Sequence, residues 1–151
     1  ELSVLLTLQG NISEEEQWKI EDYLGEANLS KISFKPQAPV GTIVNSILGY
    51  DAGVIGEQAE NETQLYTSSN KLFDYLHAGL PVVTTNMPGI IETIDEGVGL
   101  SYTNAVELSI LIQKIAENKN LYRELKTKAI AFSENNIWEK DFKNVIDAIE
   151  S

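Results

Sequence analysis

The sequence predicts an α/β fold: a parallel sheet with helices on both faces, followed by a C-terminal run of helices. Three observations carry this. Five short apolar runs alternate with helical patterns from the first residue to about Tyr102, the signature of parallel strands joined by crossover helices. The runs are apolar on both faces, as strands covered from each side should be. After Tyr102 the alternation stops and three amphipathic patterns follow.

The expected strands are Ser3 to Leu8, Lys31 to Phe34, Ala52 to Ile55, Pro81 to Thr85 and Gly99 to Tyr102. Between the first two, Ser13 and Glu16 form a capping box ahead of Trp18, Tyr23 and Leu24, so Glu14, Glu15 and Glu16 read as a solvated first turn that the helix dipole favours. Pro39 is expected to open a helix carrying Ile43, Val44, Ile47 and Leu48. Gly10, Gly49, Gly79 and Gly97 fall where elements turn, and residues 56–67 are the longest polar interruption. Asn104 with Glu107 caps the first late helix, which contains Leu108, Leu111, Ile112 and Ile115. Leu121, Leu125 and Phe132 mark the second. Trp138, Phe142, Val145, Ile146 and Ile149 form a stripe on the third, and such a stripe requires a packing partner.

A chain of 151 residues reads as one domain, large enough to fold without a metal or disulfide. It has no cysteine and one histidine, which excludes disulfides, Cys-ligated zinc, multi-His metal sites and Cys/His hydrolysis. Eleven basic against 23 acidic residues leave a net charge of −12, which repels nucleic acid and anionic lipid. No apolar run reaches the roughly 20 residues that span a bilayer, and no signal segment opens the chain, so a cytoplasmic location is expected. The chain opens on Glu1-Leu2 and its only methionine is Met87, which reads as a piece of a larger protein.

The richest stretch runs from Ser68 to Thr85: a polar loop, a short helix, a tight turn and a buried strand. Ser68, Ser69 and Asn70 stand where a helix offers unpaired N–H groups and the positive end of its dipole, and Lys71 adds a cation. At about 100° per residue Leu72, Phe73 and Leu76 gather on one side, while Asn70, Lys71, Asp74 and Tyr75 are expected to face away. Asp74 follows Asn70 by one turn, roughly 6 Å along the axis. That spacing suits phosphate at the helix start and a sugar diol one turn on. On spacing alone, a plain N-cap with solvated Lys71 and Asp74 remains an equal reading. His77, near the edge of the apolar face, reads as structural rather than catalytic, and Tyr66 and Thr67 either contact a ligand or close the loop.

The chain resembles the C-terminal, donor-binding domain of GT-B fold glycosyltransferases of the large retaining type that use nucleotide-activated sugars. The residues are Tyr50-Asp-Ala-Gly-Val-Ile55, Ser69-Asn-Lys-Leu-Phe-Asp-Tyr-Leu-His-Ala-Gly-Leu-Pro-Val-Val83, Pro88-Gly-Ile-Ile-Glu92 and Gly97-Val-Gly-Leu100, with Trp138-Glu139 at the last helix. The similarity runs from about Leu5 to the end. It implies a Rossmann-like sheet, with Ser69 and Asn70 at the donor diphosphate and Asp74 on the ribose hydroxyls, where a glutamate is more usual. Lys35, Pro36 and Gln37 fall where the family receives the base edge, largely through backbone groups. The family often carries a second acidic residue eight positions before the ribose-binding one; here that position is Tyr66, with Glu57, Glu60 and Glu62 as unranked substitutes. The strand-helix unit that supplies the family's Arg and Lys pair has no counterpart, so either the remaining strands close up or another segment fills the sheet.

The resemblance implies a glycosyltransferase whose N-terminal acceptor domain lies outside this chain, acting on a carbohydrate or lipid-linked acceptor in polysaccharide or glycoconjugate synthesis. It implies a nucleotide-sugar substrate and no cofactor or metal, no nucleic-acid partner, no membrane insertion by this domain, and a place in the cytoplasm or at the membrane periphery. No residue is assignable as catalytic, and the isolated fragment is expected to be inactive. A sugar-nucleotide epimerase of the same fold and a non-catalytic regulatory α/β module remain alternatives.

Overall fold

The computed structural model describes residues 4–137, 142–143 and 146–149 and divides into two compact units, Glu1–Ser46 and Ile47–Ser151. In the first unit, β1 (Leu6–Gln9) runs parallel to β2 (Ile32–Lys35), with Leu6 opposite Ile32 and Gln9 opposite Lys35. Helices α1 (Glu14–Leu24) and α2 (Glu26–Leu29) make the crossover. The capping box forms as the sequence predicts: the Glu16 amide donates to Ser13 Oγ at 3.3 Å, and the Ser13 amide donates to Glu16 Oε2 at 2.8 Å. Gly25 ends α1 with a positive φ of 68°. Pro39 does not open a helix; its carbonyl accepts from the Thr42 amide and hydroxyl, and α3 starts only at Ile43 and ends at Ile47. The first two strands also depart from the expected burial, since Leu6 is 46% exposed and β2 alternates half-buried Ile32 and Phe34 with exposed Ser33 and Lys35.

The second unit holds a parallel sheet in the order β3 (Gly53–Ile55), β4 (Val82–Thr85), β5 (Gly99–Tyr102). Among the described residues the strands form two sheets, and the five do not close into one ladder. Successive strand residues point to opposite faces, so Val82 and Val83, both fully buried, start two cores. On the Val82 face lie Ile55, Leu72 and Leu76 from β3 and α5 (Asn70–His77), with Ile90 from α6 (Pro88–Thr93). On the Val83 face lie Tyr102, Ile115 from α7 (Ala105–Glu117) and Leu125 from α8 (Lys119–Asn135). Helices therefore cover both faces of this sheet, the parallel α/β arrangement that the alternation predicts.

Three local features were not evident from pattern. A short helix, α4 (Glu62–Leu65), interrupts the polar segment because the Asn61 side chain caps the Gln64 amide at 3.0 Å. Asn118 opens α8 by accepting from the amides of Asn120 and Leu121. Residues Ile94–Val98 form a π-turn between α6 and β5. Of the last stripe, Trp138 and Val145 lie outside the described residues, as does Glu139, while Phe142, Ile146 and Ile149 are exposed.

Candidate functional site

The loop before α5 is held by a close backbone contact. A side chain at Gly89 would place its Cβ 2.5 Å from the Tyr66 carbonyl carbon and 2.9 Å from the Thr67 nitrogen, so only glycine lets this loop lie on the first turn of α6. Ser68 Oγ then donates to the Gly89 carbonyl at 2.7 Å, which fastens the loop to that turn. Ser68 thus spends its hydroxyl hydrogen on structure. Thr67 does the same, donating to the Thr63 carbonyl at 2.8 Å. Tyr66 ends α4 and is 72% exposed.

Ser69 sits at the N-cap position of α5 with extended backbone (φ −75°, ψ 133°), but its hydroxyl does not cap the helix. The residue is buried, whereas Asn70 beside it is exposed. Lys71 Nζ forms an ion pair with Glu57. The Glu57 carboxyl is held below the usual carboxylate range, first by the hydrogen bond from Lys71, which outweighs the opposing effect of burial, with a lesser contribution from Ser69. Its backbone is fixed too, because the Glu57 carbonyl accepts from Thr85 Oγ1 at 2.6 Å. Glu57 follows β3 by two residues, at the carboxyl end where open parallel sheets receive ligands.

One turn along α5, Asp74 is half-buried and His77 is exposed. Tyr75 corrects the helical-wheel expectation, since it packs on the Val82-face core instead of facing away. The reason is Gly53: a Cβ there would fall 2.2 Å from the Tyr75 ring, so the missing side chain on β3 is the slot that the ring fills. Burial pushes the Tyr75 phenol up, which keeps it neutral.

In the first unit, Lys35, Pro36 and Gln37 line an open cavity of about 450 Å³ together with Gln9, Asn45 and Ser46. Ser46 Oγ donates to the Ile43 carbonyl at 2.7 Å and stands 3.4 Å from Gln9 Oε1. The sequence drew attention to the three residues after β2; it did not point to Gln9 and Asn45, which come together only through the parallel pairing of β1 with β2 and the placement of α3. A cavity of about 570 Å³ at the turn between α7 and α8 is lined by Lys114, Glu117 and Asn118, none of them a candidate residue. Among the described residues no three His, Cys, Asp or Glu side chains gather as metal ligands, and no helix is long and apolar enough to cross a membrane.

No family model matches the chain, and no curated protein matches it in sequence. Among solved structures it resembles WaaG, a glycosyltransferase involved in lipopolysaccharide biosynthesis, with a TM-score of 0.64 at 19% identity. The match covers 86% of this chain and 34% of that one, so the chain spans about a third of the structure it resembles. At this identity the likeness concerns architecture, and on that basis the chain has a glycosyltransferase-like α/β fold.

Proposed function

We propose that this chain is the donor-binding domain of a retaining, GT-B type glycosyltransferase, gripping the diphosphate and ribose of a nucleotide-sugar. The observation that supports this most is the start of α5, where Ser69, Asn70 and Lys71 are held on a loop tied down through Gly89, with Asp74 one turn further. Fixed N–H groups and a cation stabilise the charge that develops on a departing diphosphate, and they need no rearrangement at the moment of transfer. Asp74 accepts from the ribose diol. Ser68 and Thr67 act as loop anchors, and the exposed Tyr66 stands near the same loop for the transferred sugar.

The acceptor, a carbohydrate or a lipid-linked sugar, belongs to a separate N-terminal domain of the intact enzyme. That enzyme works in polysaccharide or glycoconjugate synthesis, in the cytoplasm or at the membrane periphery. Catalysis rests on positioning the donor sugar against this acceptor.

Titration with UDP, GDP and ADP, followed by amide chemical shifts, tests the reading. One nucleotide is expected to move the amides of Ser69 through Asp74, and Asp74→Ala should weaken its binding about tenfold, the scale of a lost hydrogen bond to a charged group. Unmoved amides with all three nucleotides would refute donor binding.

A further inference from the structure

The anion site proposed at α5 already carries an anion supplied by the chain. Glu57 pairs with Lys71, the second residue of α5, and that hydrogen bond is the main reason its carboxyl stays below the usual carboxylate range. The Glu57 backbone is fixed by Thr85, but its side chain is 40% exposed and that of Lys71 57% exposed. The carboxylate is therefore open to solvent, while its backbone carbonyl is bonded to Thr85.

We propose that Glu57 is a displaceable stand-in for phosphate: it holds Lys71 before donor binds and gives it up to the diphosphate when donor binds. The inference rests on the diphosphate reading of the preceding subsection. A carboxylate and a diphosphate on the same ammonium group repel each other, so the two compete for Lys71. A diphosphate brings more charge and more acceptor oxygens than one carboxylate, and it wins the exchange. An ion pair this exposed is a weak competitor, lowering apparent affinity by about three- to fivefold rather than closing the site. Glu57 thereby differs from Glu60 and Glu62, the other acidic residues of the segment, which are exposed and make no contact with Lys71.

Calorimetric titration of the full chain with inorganic pyrophosphate reads this out. Glu57→Gln should tighten binding about three- to fivefold. The gain should vanish when Lys71→Ala is also present, because the cation contested by the two anions is then gone. Glu60→Gln, which removes an equal charge from the same segment, should leave affinity within about twofold. Weaker or unchanged binding in Glu57→Gln would overturn the displacement, as would an equal gain in Glu60→Gln. If neither the unmodified chain nor Glu57→Gln binds pyrophosphate, the diphosphate reading itself fails.

Discussion

The two compact units are built from the same parts, parallel strands joined by helices, yet they differ in what holds them. In Ile47–Ser151 the central strand β4 is buried on both faces, and Val82 and Val83 each nucleate an apolar cluster. In Glu1–Ser46 no described residue is buried; Trp18 is 62% exposed, and the helix that carries it buries none of its residues. Order in the first unit comes instead from the strand ladder and from local polar bonds such as the Ser13–Glu16 box. The contrast teaches that a core and a cap fix different things. In the second unit the close approach at Gly89 and the Ser68 hydrogen bond fix the α5 loop against α6, whose Ile90 is buried in the core, whereas capping bonds set where a helix begins without fixing what lies against it.

The contrast breaks if the two units respond alike to truncation. Leu76→Ala, which empties a fully buried position on α5, should cost about 2–5 kcal/mol in denaturant unfolding, while Leu6→Ala on the exposed β1 should cost under about 1 kcal/mol. Equal losses would mean that the first unit has a core which its exposure does not reveal. Next in size, Gly89→Ala should cost about 1–3 kcal/mol, because the added methyl group meets the Tyr66 backbone and not a side chain that can turn aside. The same change should move the amides of residues 66–69 in the spectrum of the folded chain. Spectra that superimpose would remove the contact from the account of the site.

The smallest effect is on the acid limb of stability. Glu57 in the second unit and Glu16 in the first both have carboxyls held below their ordinary range, by Lys71 and by Ser13 respectively. A folded-state pKa that is depressed adds stability above the unfolded value, and that stability is lost as pH falls through the folded value. The loss therefore begins below about pH 4.3, the ordinary glutamate value. Glu57→Gln should flatten this limb by less than about 1 kcal/mol, since the pair is exposed and screened by solvent. A change of slope above pH 6 would assign the dependence to a different group.

Much of the architecture was legible in the residues. Four of the five strands lie within a residue of the expected runs, and β1 starts three residues later than expected, because short apolar segments bounded by turn residues have few other uses. The caps at Ser13 and Asn104 were legible for the same reason, that a cap depends on neighbours three residues away. Pro39 misled because a proline that suits a helix start also suits a turn, and the Thr42 hydroxyl settles the choice by bonding back to it. Tyr75 misled because a helical wheel does not know that the facing strand lacks a side chain at Gly53.

The candidate site divides along the same line. Residue type and spacing along one helix determined that Ser69, Asn70, Lys71 and Asp74 could serve one anionic ligand, since their separation depends only on helix geometry. The resemblance added Lys35, Pro36 and Gln37 after β2. Tertiary structure alone decided that Glu57, 14 residues before Lys71, closes an ion pair with it, that Gly89 receives the loop 21 residues behind it, and that Gln9 and Asn45 join Lys35 around one cavity. Each of these joins residues across intervening elements, where the relevant distance is set by how strands and helices stack and not by any local pattern. For that reason the sequence named candidate donors for an anionic ligand, and only the fold showed that Glu57 pairs with one of them, Lys71.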